Sequence, residues 1–118
     1  MANPNIVNVT TIYGNTGVLA ATTSMANVVQ NPSSSGTIYK INNLIVTNAC
    51  TAAVAVSLQI NQAGTNNYVA AGVSIPPAAV VVLLAKDSGL YLLENNSLQI
   101  NATSNGYITA VSSWEQIS

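Results

Sequence analysis

The sequence predicts an all-β protein: an antiparallel β-sandwich, jelly-roll-like, with about eight or nine short strands. Three observations carry this. The stretch "AVAVSLQIN" alternates strictly, with Val54, Val56, Leu58 and Ile60 on one face and Ala55, Ser57, Gln59 and Asn61 on the other. That period of two marks a half-buried strand. Turn formers separate the β-branched runs, as "YGNTG", "NPSSSG", "QAGTNN", "PP", "KDSG", "ENN" and "SNG", and short strands divided by frequent turns mean a sandwich or barrel. No stretch carries a convincing apolar stripe at helical spacing.

In chain order, strands are expected near Ile6–Tyr13, Val18–Ala21 and Thr23–Val29, with "YGNTG" read as the first turn. "LAATTSMANVVQ" is the one place where a short helix would fit, but its Thr and Val content favours strand. Thr37–Thr47 follows, then "TNACTAA", expected to be a loop around the lone Cys50. Ala53–Asn61, Tyr68–Ser74 and Ala79–Leu84 are next, the last two separated by Pro76-Pro77. Leu90–Leu93 resumes after "ENN" as Leu98–Thr103, whose Leu98, Ile100 and Ala102 repeat the alternation. Tyr107–Ile117 closes the series. With 118 residues, no linker and no repeat, the chain is expected to form one domain over 1–118.

Charge is the unusual quantity. Charged residues make up 4% of the chain, against about 25% in ordinary globular proteins. Disorder does not follow, because disordered chains join low hydrophobicity to high net charge. Asn, Thr, Ser and Gln must supply the solubility instead. A net charge of -1 leaves almost no repulsion between copies, and near-neutral proteins tend to associate. "MANPNIVNVTT" has no basic region, apolar core or cleavage site, so no signal peptide is expected. Tyr68–Ala85 is apolar but broken by two prolines, short of the ~20 residues a spanning helix needs. A soluble protein made in a cytoplasm is expected.

Two segments are apolar on both faces. "VVVLL" sets Val80, Val82 and Leu84 against Val81 and Leu83, and "LYLL" sets Leu90 and Leu92 against Tyr91 and Leu93. One face of an antiparallel sandwich strand is normally polar. A loop or the N-terminal arm could cover the outer face; a partner subunit is the other cover. If Asn105-Gly106 forms a two-residue hairpin turn, Ile100 pairs with Val111, and Ile108 and Trp114 point away from the core. The candidate interface residues are therefore Val81, Leu83, Tyr91, Leu93, Ile108 and Trp114.

Several chemistries are excluded. The chain has no His, which removes Ser-His-Asp and Cys-His catalysis and imidazole metal sites. It has no Arg, and Lys40 and Lys86 are its only cations, too few to neutralise a nucleic-acid backbone. Asp87, Glu94 and Glu115 are the only carboxylates. Asp87 and Glu94 flank one strand, about 20 Å apart if extended, beyond the roughly 5–10 Å of a glycosidase pair. No enzyme activity and no cofactor are expected, nor any nucleic-acid or membrane partner. The six aromatics and many amides leave a glycan-binding module open.

The stretches "MANPNIVNVTTIYG", "IYKINNLIVTNAC", "SIPPAAVVVLLAKDSGLYLLENNSLQI" and "AVSSWEQIS" together resemble small virion structural proteins of marine and cyanobacterial tailed phages. The resemblance spans essentially the whole chain, and its motifs are structural ones. Relatives are more acidic around the turn read here as "LENNS" and near the end; this chain is nearly neutral. The resemblance implies a β-sandwich decoration or cement protein located in the virion. It would form a homo-oligomer, a trimer by analogy, and bind the major capsid protein or other virion proteins. A neck, collar or tail component is the alternative position.

Overall fold

A computed structural model describes residues 12–85 and 90–117. It contains nine strands and no helix among the described residues. They are β1 (Ile12–Ala21), β2 (Ala26–Asn31), β3 (Ile38–Asn48), β4 (Val54–Gln62), β5 (Thr65–Ile75), β6 (Val80–Leu84), β7 (Leu90–Leu92), β8 (Asn96–Ala102) and β9 (Ile108–Ile117). The front sheet runs β1-β9-β3-β6, and β7 pairs with the same edge of β3 further along it; the back sheet runs β2-β8-β4-β5. Every pairing is antiparallel.

The topology has a simple origin. The pairs β1·β9, β2·β8, β3·β6/β7 and β4·β5 each join the first half of the chain to the second in reverse order. The chain is thus one long hairpin, rolled up until β9 also meets β3 and β8 also meets β4. That is the jelly roll. Its tip is the β4–β5 turn, where Ala63 (φ 53°) and Gly64 (φ 97°) both adopt positive φ, as a two-residue type I′ turn requires. Asn61 Oδ1 accepts from the Gly64 N–H at 2.9 Å and so braces it.

The core lies between the sheets. Val54, Val56, Leu58, Leu98 and Ile100 of the back sheet face Leu44, Val46, Ile108 and Ala110 of the front sheet, all buried. Two buried asparagines close the ends of strands. Asn31, the last residue of β2, donates through Nδ2 to the carbonyls of Thr37 (2.9 Å) and Leu92 (3.0 Å) and accepts from Ser35 Oγ. Asn48, the last of β3, donates to Ala52 (3.0 Å) and Ile75 (3.0 Å) and accepts from the Cys50 N–H. Each holds a sheet-to-sheet crossing whose backbone groups would otherwise be buried unpaired.

Three expectations change. "YGNTG" is not a turn but part of β1. A Cβ at Gly17 would sit 2.9 Å from the Trp114 ring, so the glycine is there because another group approaches closely. The β8–β9 hairpin does not form. Those strands belong to opposite sheets, so Ile100 pairs with Ala26 and Leu58, while Val111 pairs with Val18 and Ile45. Ile108 is therefore a core residue at 1% exposure, not an outward one. Thirdly, the alternation over Val80–Leu84 breaks at a bulge, with Val82 opposite Ile45 and Leu84 opposite Leu44. The extra residue turns Leu84 into the core. The expected strand at Ile6–Tyr13 lies outside the described residues apart from Ile12 and Tyr13, as do Lys86 and Asp87.

Candidate interaction faces

Since side chains alternate along a strand and cross-strand partners share a face, the register defines both outer surfaces row by row. On the front sheet, Val18, Val111, Ile45 and Val82 stand opposite one another in sequence across β1, β9, β3 and β6. None of the four belongs to the core cluster or packs against it. They form an aliphatic band four strands wide, with Val18 67% and Val82 56% exposed at its two ends. Beside it runs Ala20, Thr109, Thr47 and Val80. Further along the strands, Gly14, Glu115, Lys40 and Tyr91 make another row. Lys40 and Glu115 are thus direct cross-strand neighbours, and among the described residues they are the charged side chains of this face.

The outer face of the back sheet is wholly different. Gln59 Nε2 donates to Gln99 Oε1 at 2.6 Å, Gln99 Nε2 donates to Asn27 Oδ1 at 2.8 Å, and Asn27 Nδ2 donates to Gln30 Oε1 at 3.2 Å. Four amides form one chain of hydrogen bonds across β4, β8 and β2, all running in the same sense. Asn61 and Asn66 add a parallel contact at 2.6 Å. Tyr68, opposite Gln59 on β5, is 65% exposed at the edge of this ladder. The alternation of "AVAVSLQIN" and "SLQINAT" placed Gln59, Asn61 and Gln99 outward; the partners on β2 and β5 needed the strand order.

The candidate interface residues divide. Tyr91 and Leu93 are exposed at 40% and 41%, on the side the alternation assigns them. Val81 and Leu83 are half-buried against the core, so the outward members of β6 are Val80 and Val82. Trp114 is half-buried against the core too, stacked on Tyr39 at 5.9 Å between centroids and 22° between planes. Residues 1–11, which would include the proposed covering arm, fall outside the described residues. The front band went unnoticed in the sequence because Val18, Ile45, Val82 and Val111 lie far apart in the chain.

Among the described residues there is no group of three or more His, Cys, Asp or Glu side chains able to hold a metal, and no cavity. Glu94 accepts from the Gly36 N–H at 2.9 Å through Oε2, bracing the turn before β8. No helix among the described residues is long and apolar enough to cross a membrane.

No family model and no curated protein matches the sequence. Solved structures do match. The chain resembles one from the acid-stable capsid structure of Helicobacter pylori bacteriophage KHP30, with a TM-score of 0.54 and 11% identity over 93% of this chain and 90% of that one. The two chains share a fold. A chain of infectious bursal disease virus, Gx strain, matches with a TM-score of 0.57 and 11% identity over 91% of this chain. The same virus's VP2 subviral particle matches with a TM-score of 0.51 and 11% identity. This chain spans about a third (32%) of the length of those bursal disease virus chains, whereas the KHP30 chain is of nearly its own length. At such identities the likeness is one of fold.

Proposed function

We propose that this chain is a non-enzymatic structural protein of a phage virion, a decoration or cement protein that oligomerises and binds the outer capsid surface. The observation that carries this reading is the end-to-end match with a chain of similar size in a phage capsid structure. The physical features agree with it. A cement protein needs complementary, uncharged surfaces and no reacting groups, and the front face supplies an aliphatic band bordered by small polar residues. Tyr91 and Leu93 are available for contacts with neighbouring subunits, and the family resemblance points to a threefold ring. Val81, Leu83 and Trp114 would support such a surface from beneath, and Ile108 would act only through the core.

The test is quantitative mass spectrometry of purified particles of the phage that encodes the chain. A copy number comparable to that of the major capsid protein is expected. A few copies per particle would move the protein to the neck, collar or tail, and absence from the particle would overturn a virion role.

A second reading, a glycan-binding module, is favoured by one feature: the exposed Tyr68 ring beside the amide ladder pairs a stacking surface with donors and acceptors. Since Trp114 is packed inward, Tyr68 is the residue to change. Saturable binding on a glycan array, abolished by Tyr68→Ala, would support this reading.

A further inference from the structure

We propose that the outer face of the front sheet is self-complementary and pairs with a second copy of this chain about a twofold axis. The axis runs parallel to the strands, between β9 and β3. Such a rotation lays β9 over the partner's β3, and β1 over the partner's β6 and β7. Val111 then meets the partner's Ile45, and Val18 meets the partner's Val82, so the band lies on itself. In the charged row the same rotation lays Glu115 over the partner's Lys40, and Lys40 over the partner's Glu115. Gly14 faces the partner's Tyr91. No atom of the described residues lies within 4 Å of where a Cβ at Gly14 would be, so the Tyr91 ring meets no described side chain there.

The alternative twofold, perpendicular to the strands in the plane of the face, fails on charge. Placed through the Lys40–Glu115 row it sets Lys40 on the partner's Lys40. Placed midway between the charged row and the aliphatic band it sets Glu115 on the partner's Val111 and Lys40 on the partner's Ile45, and burying an unpaired charge is costly. Two sheets packed face to face cross at about 30°, so the correspondence holds best at the centre, where Val111, Ile45, Glu115 and Lys40 lie. Four strands spaced ~4.8 Å apart and about ten residues long offer on the order of 600 Å² per chain. The pair would bury about 1,200 Å², the lower end of specific interfaces. Near-neutral net charge leaves nothing long-range to oppose it.

This contact does not depend on a role in a virion. It also differs from a threefold ring, since it yields a mass of twice the protomer. The experiment is sedimentation of Lys40→Glu and Glu115→Lys, alone and mixed. Alone, each variant sets like charges across the axis, and pairing should weaken by at least about tenfold. Mixed one to one, the first variant presents two carboxylates and the second two ammonium groups, so heteropairs should form and strengthen at low salt. Each variant also places like charges side by side within its own chain. Mixing cannot repair that, so recovery reports the contact between chains alone. Wild-type pairing unaffected by either change, or variants that stay folded by circular dichroism yet fail to pair when mixed, would overturn the proposal. Val82→Asp is the independent check: pairing is expected to disappear, with the unfolding midpoint unchanged from wild type at dilutions where neither pairs. Failure of the protein to bind capsids would leave these outcomes untouched.

Discussion

Asn48 and Asn31 show how single residues hold a fold that has few charges to work with. Each is fully buried and joins segments distant in sequence: Asn48 reaches Ile75, and Asn31 reaches Leu92. Removing the amide leaves buried carbonyls without donors, at about 1–3 kcal/mol for each group left unpaired. Asn48→Ala should therefore destabilise the protein by about 2 kcal/mol or more, read as a lower urea midpoint at unchanged m-value. Gly17 is the other residue of this kind. Gly17→Ala pushes a methyl group to within 2.9 Å of Trp114, and overpacking of this sort costs about 1–3 kcal/mol. The indole should shift, so its fluorescence maximum should move along with the lost stability. Sequence alone read Gly17 as a turn former because a strand glycine and a turn glycine look alike; only the facing Trp114 distinguishes them.

At the scale of elements, the strands themselves were legible. The sequence alternates over Val54–Asn61 of β4 and Leu98–Ala102 of β8, and β3 and β9 begin and end within a residue or two of expectation, because half-buried strands write their pattern into the sequence. Pairing was not legible. Asn105-Gly106 carries a strong local hairpin signal, yet here the chain changes sheets, and partner choice depends on the rolled-up whole. The outer aliphatic band was hidden for the same reason, since its four residues are neighbours only across strands. Bulges are equally silent, and the one near Leu83 decided which side of β6 faces out. The true hairpin turn is suboptimal: Ala63 adopts φ 53°, a conformation that costs an L-residue roughly 1–2 kcal/mol but that Asn tolerates. Ala63→Asn should raise stability by about 1 kcal/mol in equilibrium denaturation, with the oligomeric state unchanged because the tip lies away from the front face.

Over the described residues the whole molecule is two-sided: aliphatic rows with the Lys40–Glu115 pair in front, a ladder of neutral amides behind. Its topology also sets its kinetics. The first described strand pairs with the last, Ile12 with Ile117, so the sheet pairings other than the β4–β5 hairpin must wait for a long loop to close. Such folds form in milliseconds to seconds; stopped-flow refolding followed by Trp114 fluorescence should fall in that range, and a microsecond phase carrying the full amplitude would contradict it. The adjacency of Ile12 and Ile117 has a mechanical consequence as well. Tension applied at those two points pulls β1 from β9 sideways, so the hydrogen bonds between them break one after another, as in a zip. Tension along the strands, applied to the faces, would load all those bonds at once in shear. The molecule is thus weak when Ile12 and Ile117 are drawn apart and strong when gripped across its sheets.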